Sequence, residues 1–169
     1  MAAYHYPIVM WRDAAGAISG ALVGDFDTVA ASAQTEDDVM RQLRELIEWR
    51  FENEPWNVDP DLNEPSLFEV KVEIRPQYRT RKRIIPCPET IWLLVPCVTG
   101  LQANGLRLCV VPHFGLQFSF RDPAELKSLV GHYVKESLQN LTPAQLAGCL
   151  PPRGCTLKEL VLRDSAHGI

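Results

Sequence analysis

The chain has 169 residues, of which 46% are hydrophobic and 22% charged, enough to form one folded core or two small ones. A net charge of −4 and a pI of about 5.6 argue against a general affinity for nucleic acid or anionic membranes. A chain of negative net charge can still carry a local basic patch. No apolar run approaches the roughly 20 residues of a membrane-spanning helix. Met1–Met10 shows no secretory signal, so we expect no membrane association.

The cysteines are odd in number and irregularly spaced. In a chain without a visible secretory signal, this pattern predicts reduced thiols in a cytosol-like compartment, and we expect a cytoplasmic protein. The five positions are Cys87, Cys97, Cys109, Cys149 and Cys155.

Residues 1–53 show a pattern of three strands followed by one helix. Two apolar runs, Tyr4–Trp11 and Ile18–Val23, flank the glycine-containing turn Asp13–Gly16, and a third strand is predicted over Val29–Ala33. Thr35 is a typical N-cap residue and begins a helix that ends near Asn53.

This first helix is amphipathic. Its apolar positions recur every three or four residues and are expected to be buried: Val39, Met40, Leu43, Leu46, Ile47 and Phe51. Charged residues occupy the opposite face: Arg41, Glu45, Glu48 and Glu52. Trp49 lies off the apolar stripe, and Trp56 follows the helix. Exposed tryptophans are typical anchors of protein interfaces; alternatively, Trp56 folds back onto Trp49.

Residues 54–88 contain a predicted linker, a strand and a basic run. The segment from Asn53 to Pro65 is acidic and rich in proline, which is typical of a surface linker. Four apolar residues then alternate with charged ones, which predicts a strand buried on one face and paired either with Lys82–Ile85 or with a sheet edge. These four residues are Phe68, Val70, Val72 and Ile74.

The basic run is the one concentrated charge signal of the sequence. It consists of Arg75, Arg79, Arg81, Lys82 and Arg83, with Tyr78 among them. One interpretation is a hairpin that binds a phosphate backbone while Tyr78 stacks on a base. The other is a solvated edge hairpin whose cations discourage aggregation or pair with the acidic linker.

Residues 89–140 repeat the pattern of the first 53 residues at a constant offset, since Asn140 corresponds to Asn53. Apolar runs over Ile91–Val98 and Leu106–Val111 flank a turn at Asn104-Gly105, and a third strand is predicted over Leu116–Phe120. A second helix begins at Asp122-Pro123-Ala124-Glu125 and places its apolar residues at the same offset: Leu126, Val130, Tyr133, Val134 and Leu138.

Residues 141–169 are expected to add a short helix from Thr142 and a strand over Leu157–Leu162. The sequence therefore predicts an α+β fold of two tandem β-β-β-α repeats, with each antiparallel sheet backed by one helix. A unit of roughly 50 residues buries little apolar surface, so we expect the repeats to pack as a pseudo-dimer in one compact body. The alternative is two unrelated units of a common type.

No catalytic motif is visible. The sequence lacks a glycine-rich phosphate loop, a His-Glu-x-x-His motif and a Gly-x-Ser-x-Gly motif, so we predict no catalytic residues, no metal and no cofactor. The nearest approach to a metal site is Cys109 with His113, which lacks a second ligand pair. Cys97 and Cys109 are nearly symmetric about the loop Thr99–Gly105, so they are expected to be buried neighbours across a hairpin. A thiol-dependent enzyme is the least favoured alternative.

The segment from Tyr6 to Asn53 resembles the HicB-type antitoxin domain. The resemblance rests on the strand Tyr6-Pro7-Ile8-Val9, the turn Asp13–Gly16, the returning strands within Ala17–Ala33 and the capped helix Thr35–Glu52. It implies a β-β-β-α fold and a toxin-neutralising role. Tyr6–Asp13 and Trp49–Trp56 are also similar to segments that precede Clp-type AAA+ ATPase modules, which implies a substrate-selecting domain of a larger machine.

These observations favour a non-catalytic protein-recognition module that binds another protein. Its candidate binding residues are Trp49, Trp56, Tyr78, Arg79, Arg81, Lys82 and Arg83. An RNA-binding regulator that uses Arg75–Arg83 is the alternative from a different class. In either case we expect the partner on helix exteriors or on the basic hairpin, and not in a cleft.

Overall fold

The structure is a computed structural model that describes residues 3–23, 29–54, 62–138 and 141–163. It confirms the predicted α+β class. The strands are β1 (Ala3–Arg12), β2 (Ile18–Leu22), β3 (Ala30–Ala33), β4 (Asn63–Ile74), β5 (Gln77–Arg79), β6 (Ile84–Pro86), β7 (Ile91–Leu101), β8 (Arg107–Val111), β9 (Leu116–Phe120) and β10 (Thr156–Arg163). The helices are α1 (Glu36–Asn53), α2 (Leu126–Ser137) and α3 (Pro143–Ala147).

The strands form two four-stranded antiparallel sheets and one small hairpin. The first sheet has the order β10-β1-β2-β3, the second has the order β4-β7-β8-β9, and β5 pairs with β6. The last strand of the chain therefore completes the first sheet by pairing along β1, from Ala3 opposite Arg163 to Met10 opposite Thr156. A strand of the C-terminal extension is thus structurally part of the N-terminal half.

Three buried apolar clusters show how the sheets and helices pack together. One cluster lies between the first sheet and α1, and another lies between the second sheet and α2 with α3. A third cluster joins the facing sides of the two sheets: Val9, Ala21, Val23, Leu62, Val98, Leu108 and Val110. The order of layers is therefore helix, sheet, sheet, helix, and the inner strands β1, β2 and β8 are buried on both faces over most of their length.

Helix α1 begins where the sequence predicts it, because Thr35 accepts a hydrogen bond from the Asp38 backbone N–H through its hydroxyl, at 3.2 Å. The helix lies close to β2 at Gly20, where a Cβ atom would stand 2.8 Å from Cγ1 of Val39. Glycine at this position allows the helix backbone to approach the sheet. One prediction for this helix was wrong: Leu46 is 38% exposed, whereas the buried residues of the stripe are Val39, Leu43 and Ile47.

Strand β4 differs from its prediction in two respects. It begins at Asn63, so Asn63–Pro65 belong to a strand and not to the linker, while 55–61 lie outside the described residues. It pairs with β7 along its length, as an edge strand of the second sheet, and does not pair with Lys82–Ile85. Ile84 and Ile85 pair instead with Arg79 and Tyr78 of β5, and β7 takes the place beside β4.

The two halves share the order of strands and helix but differ in how the helix is placed. Helix α1 lies nearest to β2 and β3, whereas α2 lies nearest to β4. One edge strand of each sheet also comes from a different part of the chain, β10 beside β1 in the first sheet and β4 beside β7 in the second. Internal duplication therefore remains a prediction. In the part of the chain that the structure describes, no helix has the length and apolarity required to cross a membrane.

Candidate functional site

Four of the five basic residues singled out in the sequence lie together on a hairpin, which we call the arm (Gln77–Pro86). The fifth, Arg75, lies just after β4 and before the arm. Thr80 fixes the turn at its tip. The Thr80 backbone N–H donates to the Arg83 carbonyl at 2.8 Å, and the Thr80 hydroxyl accepts from the backbone N–H groups of Lys82 and Arg83 at 3.4 and 3.2 Å. The tip is therefore an ordered turn.

The arm presents its charges to solvent. The side chains of Arg79, Arg81, Lys82 and Arg83 are exposed, as is the adjacent Ile84. None of the four cations has an ion-pair partner among the residues that the structure describes. Tyr78 lies on β5 opposite Ile85, and its side chain lies outside the described part of the structure. The arm is thus a concentrated positive patch on a protein of negative net charge.

Trp49 lies on a different surface, the outer face of α1. Its side chain is 57% exposed, as predicted from its position off the apolar stripe. Its neighbours one helical turn away are Glu45, Leu46, Glu52 and Asn53, and Asn53 Nδ2 donates to the Trp49 carbonyl at 2.7 Å. Trp56 lies outside the described residues. The structure therefore does not bring Trp49 together with the arm, since α1 covers the first sheet and the arm connects strands of the second.

A second apolar surface was missed by the sequence interpretation. Trp92 and Leu94 lie on one side of β7 and are 55% and 47% exposed. They stand opposite Glu73 and Lys71 of β4, and the Lys71 Nζ lies 4.4 Å from the centroid of the Trp92 ring, a cation–π contact. We call these four residues the β4–β7 face.

The β4–β7 face exists because the two sheets overlap only in part. Val98 lies on the same side of β7 as Trp92 and Leu94, but it is fully buried in the cluster between the sheets. Towards Ile91 the first sheet no longer covers this side of β7. The continuous apolar run of β7 predicts burial on both faces. The only sequence feature that indicates exposure on this side is the row of charged residues on β4, which includes Lys71 and Glu73.

Two clefts include residues of β4 in their lining. One of about 830 Å³ is lined by residues from the beginnings of β1, β4 and β10, and within it His5 Nδ1 lies 2.6 Å from Glu159 Oε1. Its described lining includes no serine, threonine or cysteine that the histidine would activate. The other, of about 570 Å³, lies between the base of the arm and the end of α2, and its lining includes Glu73, Arg75, Lys135 and Glu136.

The candidate metal and thiol residues are distributed as ordinary buried side chains. His113 packs on Trp11 with ring centroids 4.7 Å apart, and burial lowers the pKa of His113 to about 4. Cys109 does not lie with His113 but in the cluster under α2, which also contains Cys97, and both thiols are buried and free of disulfides. The two cysteines lie on adjacent strands of one buried cluster, where Cys109 stands opposite Thr99 and Cys97 is its diagonal neighbour. The described residues contain no group of three or more potential metal ligands.

The described surface therefore offers three distinct features: the basic arm, the acidic and apolar face of α1 and the β4–β7 face. Comparison with known proteins identifies no relative. No protein family model, no curated protein and no solved structure matches the chain.

Proposed function

We propose that this chain is a non-catalytic protein-recognition module. The observation that carries the proposal is the exposure of Trp92 and Leu94 on one side of a hydrogen-bonded sheet whose opposite side is a packed core. Large apolar side chains on a preorganised surface bind a partner at little cost in conformational entropy. Tryptophan in particular is enriched among residues that dominate interface energies.

The charges around Trp92 define the chemistry of the partner. Lys71 already stacks on the Trp92 ring, whereas Glu73, directly opposite Trp92 on β4, is exposed and has no ion-pair partner among the described residues. The unbalanced charge beside the apolar pair is thus negative. We infer a partner segment with large apolar side chains flanked by lysine or arginine.

A photo-crosslinking amino acid in place of Leu94 tests this proposal. We expect a single covalent adduct in cells, and we expect Trp92→Ala in the same chain to reduce its yield at least tenfold, because loss of an interface tryptophan costs about 2 kcal/mol or more. The captured protein is then purified, and its Kd is measured with and without Trp92→Ala.

Two controls make the result specific. Trp49→Ala changes an equally exposed tryptophan on another surface and should leave the adduct unchanged. A crosslinker at Gln117, an exposed position on β9, should not capture the same protein. Adducts that form equally with and without Trp92, or that form at Gln117 as well, would contradict recognition through the β4–β7 face.

Within this class we propose the partner-selecting domain of a larger Clp-type AAA+ ATPase system. The similarity at Tyr6–Asp13 and Trp49–Trp56 supports it. A toxin-neutralising domain of HicB type is the alternative, supported by the resemblance from Tyr6 to Asn53. An ATPase module encoded in the same reading frame would favour the first, and a neighbouring gene for a small ribonuclease-like protein would favour the second.

The arm supports a second candidate function, RNA binding. Its four cations are held on an ordered turn without carboxylate partners among the described residues, which suits contact with a phosphate backbone. If the arm binds RNA, generic single-stranded RNA will bind at about 50 mM salt and lose affinity steeply as salt rises. The combined substitutions Arg79→Glu, Arg81→Glu and Arg83→Glu should abolish that binding. Absence of binding by the unsubstituted chain at about 50 mM salt would remove this function.

A further inference from the structure

Two exposed surfaces of this chain are complementary in charge and similar in apolar character. The tip of the arm presents Arg79, Arg81, Lys82 and Arg83 beside exposed Ile84. The outer face of α1 presents Glu45, Glu48 and Glu52 beside exposed Leu46 and Trp49. Each surface thus combines an apolar centre with charges mainly of one sign, positive on the arm and negative on the helix, where exposed Arg41 and Arg44 lie towards the N-terminal end.

The charges on the α1 face are largely uncompensated. Glu45 pairs with Arg41 at 3.2 Å, but Glu48 and Glu52 have no ion-pair partner among the described residues. The cations of the arm are equally unpaired within that part of the chain. Both surfaces are exposed in the folded chain, so they do not satisfy each other within one molecule. Their complementarity can be satisfied between two molecules.

We infer that the partner of the arm is a second copy of this chain, in which it docks on the outer face of α1. Ile84 then packs against Leu46 and Trp49, while arm cations approach Glu48 and Glu52. When two copies share one such contact, the contact is head-to-tail, and each added copy leaves one free arm and one free helix face. Such contacts give rings when the rotation closes and filaments when it does not.

This inference does not depend on the proposed recognition of another protein, which uses the β4–β7 face. It also differs from RNA binding in needing no nucleic acid. An intermolecular contact between opposite charges at an exposed interface weakens as salt rises. We therefore expect the nucleic-acid-free protein at low salt to show a molar mass that increases with concentration and falls again when salt is added.

Two charge-reversed variants test the head-to-tail contact by analytical ultracentrifugation. The arm variant carries Arg81→Glu and Arg83→Glu, and the helix variant carries Glu48→Arg and Glu52→Arg. All four positions are exposed, and circular dichroism of each variant checks that the fold is retained. We expect each variant alone to be monomeric. An equimolar mixture should assemble again, with the two variants alternating, because the intact arm of one meets the intact helix of the other and the two reversed surfaces are complementary as well.

A chain with all four substitutions provides the matched control, since its reversed charges are again complementary and it should assemble like the unsubstituted protein. A monomeric unsubstituted protein at every concentration at low salt would overturn the inference. So would assembly of both variants on their own, or a mixture of folded variants that stays monomeric.

Discussion

Replacement of Leu160 by alanine is expected to lower the free energy of unfolding by about 2–5 kcal/mol. Leu160 lies on β10, is 1% exposed and packs in the cluster under α1, opposite Tyr6 in the neighbouring strand. The substitution leaves a cavity between a strand from the end of the chain and a helix near its beginning. Chemical denaturation followed by circular dichroism measures the loss.

The same substitution at Leu150 is the matched control. Leu150 precedes β10 and is 51% exposed, so Leu150→Ala should change the free energy of unfolding by no more than about 0.5 kcal/mol. Helix α1 also contacts β10 directly, through a hydrogen bond from Arg44 Nη1 to the Val161 carbonyl at 3.2 Å. Equal and small effects of the two substitutions would show that β10 is not part of the first core.

The cysteines are expected to differ by about a thousandfold or more in their rates of alkylation in the folded protein. Cys149 is exposed and should react like a free peptide thiol. Cys97 and Cys109 are fully buried, and they become accessible only when the second core opens. The Cys109 thiol and burial also raise the pKa of Cys97 well above its ordinary value, so little of the reactive thiolate is present.

Mass spectrometry of peptides after timed treatment with iodoacetamide measures these rates. In denaturant all five cysteines should react at similar rates, which controls for sequence effects on the reagent. Cys155 is half-buried, and burial raises its pKa to about 11, so its rate should lie between those of the two groups. Rapid labelling of Cys97 in the folded chain would contradict the packed second core and would favour a thiol-dependent activity.

The sequence was most informative about local structure. Thr35 and Asp122 each mark the beginning of a helical segment, because each side chain accepts a backbone N–H of the first turn. The alternation from Phe68 to Ile74 predicted which side of β4 is buried, since successive side chains of a strand point to opposite faces. The exposure of Trp49 followed in the same way from helical geometry.

The candidate site was only partly predictable. The basic run predicted an exposed hairpin, because adjacent like charges are costly to bury, and the structure places four of its five cations on the arm. Trp92 and Leu94 were not identified, because an apolar strand looks the same in sequence whether one face or both are covered. Their exposure depends on how far the first sheet extends over the second.

The sequence by itself determined the α+β class, the order of the strands and helices, and the presence of a basic hairpin. These depend on patterns within short segments, where side-chain periodicity and capping act locally. The tertiary structure alone decided that β10 borders β1, that β4 borders β7, and that α1 and α2 lie over different strands. These pairings join residues far apart in the chain, and they are selected by the complementary shapes of whole buried faces, which no short segment contains.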